Sequence, residues 1–128
     1  MKKAAVVLIM VGLFTGLLVT GCWAFDDPVL EMAVQLELAR IRAGSDLSRI
    51  TTLDLSYLGI TSLAGLEQLV NLESLDVRGN PIRDLTPIQN LTKLTSLNLR
   101  ETAVADLSPI RNLTGLRYLN LHSTPVTD

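Results

Sequence analysis

Leu72-Glu73-Ser74-Leu75-Asp76-Val77-Arg78-Gly79-Asn80-Pro81-Ile82-Arg83-Asp84-Leu85-Thr86-Pro87-Ile88-Gln89-Asn90-Leu91-Thr92-Lys93 is one period of a lattice with a step of 22 residues. Leu53, Leu75, Leu97 and Leu119 keep that step, as do Leu55, Val77, Leu99 and Leu121, and Ile60, Ile82, Val104 and Val126. Leu63, Leu85 and Leu107 follow the same rule. So do Leu66, Ile88 and Ile110, then Leu69, Leu91 and Leu113, then Leu72, Leu94 and Leu116. A single globular core does not demand such regularity. A stack of identical coils does, because each coil offers the same apolar atoms to its neighbours.

The apolar spacing changes within the period. Leu75 and Val77 alternate with Ser74, Asp76 and Arg78, which is the period of a strand. Ile82, Leu85, Ile88, Leu91 and Leu94 are then spaced strictly by three. That spacing suits 3₁₀ turns, in which i and i+3 eclipse on one face. Thr86-Pro87 and Ser108-Pro109 read as a cap followed by proline at the first helical position. Each period is a short strand, a turn and a tight helical return.

The run Leu72-x-x-Leu75-x-Val77-x-x-Asn80-x-Ile82-x-x-Leu85-x-Pro87-Ile88 resembles the leucine-rich repeat, and most of all the 22-residue bacterial class found in internalins. The resemblance covers residues 47–128, as three full turns and a partial fourth. It implies an α/β solenoid with a parallel sheet on its concave face and short 3₁₀ returns. One departure is visible. The buried asparagine of the family occurs only as Asn80, where the other periods place Leu58, Thr102 and Thr124. Threonine is expected to bond backbone of the neighbouring coil, but Leu58 has no such group, so repeat 1 needs another partner for its backbone.

Residues 27–42 read as a helix, with Asp27 as N-cap, Pro28 at the first position and Gly44 as the stop. Leu30, Val34, Leu38 and Ile41 form its apolar stripe. A stack of coils needs its first coil covered. Phe25-x-Asp27-Pro28-x-Leu30 resembles the N-terminal cap of bacterial members of the family, so residues 27–46 are assigned as cap and 47–128 as repeats.

Lys2 and Lys3 precede an apolar run from Ala4 to Val19, the pattern of a secretory signal over residues 1–21. Val19-Thr20-Gly21-Cys22 resembles a bacterial lipobox, which implies cleavage before Cys22 and lipid on its thiol. An uncleaved anchor and a plain signal peptide are the alternatives, although the run is short for a span of about 20 residues. Residues 22–26 then form a short tether. Trp23 after the cysteine points to the outer membrane in a cell that has one, and to the cell surface otherwise. Cys22 is the sole cysteine, so no internal disulfide forms.

Composition narrows the function. Beyond residue 21 there are nine basic and thirteen acidic residues, a formal charge of −4, and aromatic residues are 4% of the chain. That is no footprint for nucleic acid. A Ser-His or Cys-His catalyst would depend on His122, the only histidine, and neither a phosphate loop nor a metal-ligand spacing is present. The sequence reads as no enzyme, with no cofactor and no metal. Asp54 and Asp76 stand about 5 Å apart on adjacent strands, a spacing better read as a solvated polar face than as a carboxylate pair. Asn90-Leu91-Thr92 and Asn112-Leu113-Thr114 match a glycosylation sequon but read as local turn residues.

The outward face of the sheet remains. Its columns are Thr52, Ser74, Ser96 and Tyr118; Asp54, Asp76, Asn98 and Asn120; Ser56, Arg78, Arg100 and His122; and Tyr57, Gly79, Glu101 and Ser123. Solenoid faces of this kind bind partners, and tyrosine and arginine are enriched at binding hot spots. Asp54, Tyr57, Asp76, Arg78, Asn98, Arg100, Tyr118, Asn120 and His122 are therefore the candidate ligand-binding residues. Four strands span roughly 15 Å and a five-residue strand is about 17 Å long, a patch well below the ~800 Å² per partner of a standard interface. The reading is a lipid-anchored repeat module that binds a protein or cell-surface ligand. The alternative is a remnant of a longer repeat protein. On either reading residues 117–128 are expected to fray or to be covered by a second copy or a partner strand, because the lattice stops mid-coil.

Overall fold

A computed structural model of the chain describes residues 25–44 and 46–127. The expected leader and Cys22, the expected site of lipid, lie outside the described residues. Among the described residues no helix is long and apolar enough to cross a membrane.

Four strands, β1 (Thr52–Asp54), β2 (Ser74–Asp76), β3 (Ser96–Asn98) and β4 (Tyr118–Asn120), form one parallel sheet in sequence order. Leu53 pairs with Leu75, Leu75 with Leu97, and Leu97 with Leu119, so the lattice step is also the strand register. The pairing runs past each short strand. Leu55 and Tyr57 N–H donate to Asp76 and Arg78 carbonyls at 2.8 and 2.9 Å. Val77 and Gly79 repeat this toward coil 3, and Leu99 and Glu101 toward coil 4. Identical coils thus satisfy one another's backbone, as a parallel sheet without long crossover helices requires.

The returns are 3₁₀ turns at Leu66–Gln68, Thr86–Ile88 and Ser108–Ile110, with a lead-in turn at Leu47–Arg49. The expected caps, Thr86 and Ser108, are instead the capped residues. Asp84 Oδ1 accepts from the Thr86 N–H at 2.8 Å and from its hydroxyl at 2.5 Å. Asp106 holds Ser108 in the same way. The hydroxyl bond first, then the N–H bond, holds each carboxyl below the usual carboxylate range. In the first return Gly65 stands where Pro87 and Pro109 stand later. Its φ of +104° is closed to proline, and the turn begins two lattice positions late.

One continuous core fills the coils. Leu55, Leu66, Leu72, Val77, Leu94 and Leu99 are fully buried. The burial weakens toward β4, where Leu119 is 38% exposed. Ile110 and Leu113 of the third return are nonetheless buried.

The helix α1 (Pro28–Arg40) covers the first coil with buried Leu30, Val34 and Leu38, while Ile41 is half-buried against the core. Asp27 caps it as expected. Oδ1 accepts from the N–H of Val29 and Leu30, and Oδ2 reaches across to the Thr61 N–H at 2.9 Å. The stop is not Gly44. Arg42 takes the left-handed conformation at φ +53°, and Ala43 N–H returns to the Leu38 carbonyl while Arg42 N–H returns to Ala39. This is a Schellman closure two residues earlier than the glycine suggests.

Asn80 resolves the missing ladder. Its carbonyl oxygen accepts from Leu58 and Ile60 N–H at 3.1 and 3.0 Å, and its amide donates to Leu55 and Val77 carbonyls at 2.8 Å. One asparagine in coil 2 therefore serves coil 1, where leucine replaces it. Thr102 and Thr124 do not reach a neighbouring coil. Each hydroxyl donates within its own coil, to Leu99 and Leu121 carbonyls at 2.7 Å.

Candidate interaction surface

The second column, Asp54, Asp76, Asn98 and Asn120, has a structural reason to recur. Each Oδ1 accepts from the backbone N–H two residues on, at Ser56, Arg78, Arg100 and His122, over 2.9 to 3.2 Å. These Asx turns end each strand and lead the chain into the next residue's left-handed conformation. Tyr57, Gly79, Glu101 and Ser123 have φ of +57°, +68°, +56° and +58°. Only Gly79 takes that conformation without strain. The columns read from the lattice therefore carry a turn signature as well as a surface.

The third column departs from expectation at its start. Ser56 is 2% exposed and does not belong to the face. Arg78 and Arg100 do, with side chains 41% and 46% exposed. Arg78 lies 3.7 Å from Asp76 Oδ2, and its guanidinium carbon sits 5.8 Å from the Tyr57 ring centre. That is within cation–π range. Asn98 Nδ2 donates to Asp76 Oδ2 at 3.1 Å, so the centre of the face is a connected polar strip.

Tyr57 crosses two coils. Its hydroxyl donates to Glu101 Oε2 at 3.1 Å, 44 residues away in sequence. The ring fills the space that a Cβ at Gly79 would need, colliding with ring carbons Cδ1 and Cε1. Glu101 Oε1 accepts from Arg100 Nε at 2.9 Å. Arg100 first, and Tyr57 second, hold the Glu101 carboxyl below the ordinary range. Glu101 and Gly79 were absent from the residues expected at the site. The signal for both lies in the fourth column, where a glycine separates the tyrosine from a carboxylate.

The structure thus gathers Tyr57, Arg78 and Arg100 at the C-terminal rim of the sheet. Asp54, Asp76 and Asn98 stand just before them, as the last residues of β1, β2 and β3. Tyr118 and Asn120 of β4 continue the columns beside Ser96 and Asn98, with His122 just beyond the strand, and Asn120 Nδ2 lies 3.4 Å from the Tyr118 hydroxyl. Among the described residues no group of His, Cys, Asp and Glu side chains is arranged to hold a metal ion.

The family model "Leucine Rich repeats (2 copies)" matches residues 48–90. An internalin (inlF) of Listeria monocytogenes is similar in structure, with a TM-score of 0.74 and 34% identity over 81% of this chain. Internalin C2 of the same organism has a TM-score of 0.58 and 27% identity over 81% of this chain. A leucine-rich-repeat protein of Leptospira interrogans has a TM-score of 0.58 and 34% identity over 66% of it. The chain spans 32%, 58% and 22% of those three chains. No curated protein matches the sequence.

Proposed function

Taking this leucine-rich-repeat solenoid as a protein-interaction module rather than an enzyme, we propose that its outer sheet face binds a protein or cell-surface ligand, and that lipid on Cys22 anchors it outside the cytoplasmic membrane. One observation carries the first half. Tyr57, Arg78 and Arg100 come from successive coils, line one rim, and stay about half exposed, Tyr57 at 52%. These are the residue types that dominate binding energy. The polar strip of Asp76 and Asn98 beside them supplies the hydrogen-bonding groups of an interface rim.

The face is small, so several copies held together on a membrane would raise the effective affinity. The edge of β4, with Leu119 38% exposed, offers a further contact through which two copies would pair. Amide protection of Tyr118–Asn120 that grows with protein concentration supports that pairing, and protection independent of concentration rejects it.

Charge reversal tests the face. Arg78→Glu with Arg100→Glu is expected to weaken partner capture at least tenfold while the sheet stays folded, because both side chains reach water. Undiminished capture by the folded double variant places the site elsewhere. The anchor rests on Val19-Thr20-Gly21-Cys22. A clickable palmitate analogue should label the protein and not Cys22→Ala, and equal labelling of both rejects the lipid.

A further inference from the structure

Tyr57 and Glu101 occupy left-handed positions where glycine is the unstrained choice, and their side chains meet over the glycine between them. The turn after every strand takes this conformation, Ser123 included, and glycine alone meets it without strain, so the ring carried there, not the turn, is particular to coil 1. Tyr57 is 52% exposed and is not part of the buried core. From these observations we infer that Gly79 and Glu101 are positioning residues for Tyr57, which they hold flat across coil 2 as a preset binding platform beside Arg78.

The inference rests on the proposed binding face and adds how that face is prepared. Gly79 leaves room for the ring, and Glu101 fixes its far end through the hydroxyl. Arg100 in turn orients Glu101 through the 2.9 Å bond. The platform therefore needs three coils in register. A side chain ordered before the partner arrives loses less rotamer freedom on binding.

Proton NMR of the full-length protein in detergent micelles reads the ring directly. The aromatic ring above Gly79 shifts its α-protons, and the shift should vanish in Glu101→Ala but survive in Glu101→Gln, which keeps an acceptor. Tyr57→Phe should behave like Glu101→Ala. The amide spectrum of β1–β3 checks that each variant is folded. A Gly79 shift unchanged in Glu101→Ala overturns the inference. So does a released ring that leaves the yield of a photo-crosslinker at Asn98 in intact cells undiminished. A held ring with no crosslinks from wild type overturns the binding reading instead, so the two failures are distinguishable.

Discussion

Asn80 and Asp27 each replace a whole set of backbone partners. Asn80 accepts from two N–H groups of coil 1 and donates to three carbonyls, those of Leu55, Val77 and Arg78. Asn80→Ala should destabilise by about 2–4 kcal/mol in urea unfolding, since a buried group left unpaired costs about 1–3 kcal/mol. Thr102→Val should lose only about 1 kcal/mol, because its hydroxyl serves a single carbonyl of its own coil. Asp27 adds a pH dependence. Burial pushes its carboxyl up, but the bonds from Thr61, Val29 and Leu30 together outweigh burial and hold it below the usual range. Its folded-state pKa is therefore depressed, so its stabilisation is complete above the unfolded value of about 3.9 and is lost as pH falls through the folded value. Asp27→Asn should be less stable than wild type at neutral pH, and the gap should narrow in strong acid. A gap that persists unchanged at low pH contradicts the carboxylate's role.

At the scale of elements, the cap helix and the strands respond differently to substitution. Arg42 closes α1 in a conformation suited to glycine. Arg42→Gly should therefore raise stability by roughly 1 kcal/mol, and a fall in the urea midpoint would show that the arginine side chain contributes more than the backbone strain. Among the strand leucines, Leu75→Ala and Leu97→Ala should destabilise by about 2–5 kcal/mol, as fully buried leucines do. Leu119→Ala sits at the same lattice position but is 38% exposed, and should cost clearly less. Equal losses at all three positions would mean that β4 is covered in solution.

Across the whole molecule, the lattice of leucines was legible because a stack of coils imposes one geometry on every period. It placed the register of Leu53, Leu75, Leu97 and Leu119, the 3₁₀ returns and the outward columns at the strands. What it hid were departures from the period. Asn80 reaches back one coil because Leu58 cannot bond, Ser56 is buried while its equivalents Arg78 and Arg100 are not, and Arg42 closes α1 before Gly44. The Tyr57–Glu101 bond spans 44 residues, beyond any local pattern. The Asp and Asn column looked like surface chemistry, yet its regularity comes from Asx turns. Periodicity thus reports what every coil shares, and a binding face is made from what they do not share. The central claim, that this face binds, is tested most directly by site-specific photo-crosslinking in intact cells. A photoreactive residue is placed in turn at Asn98 on the sheet face and at Asn90 on the opposite return. Defined adducts from position 98 and none from position 90 are the predicted result. Adducts from position 90 alone, or in equal yield from both, would contradict it.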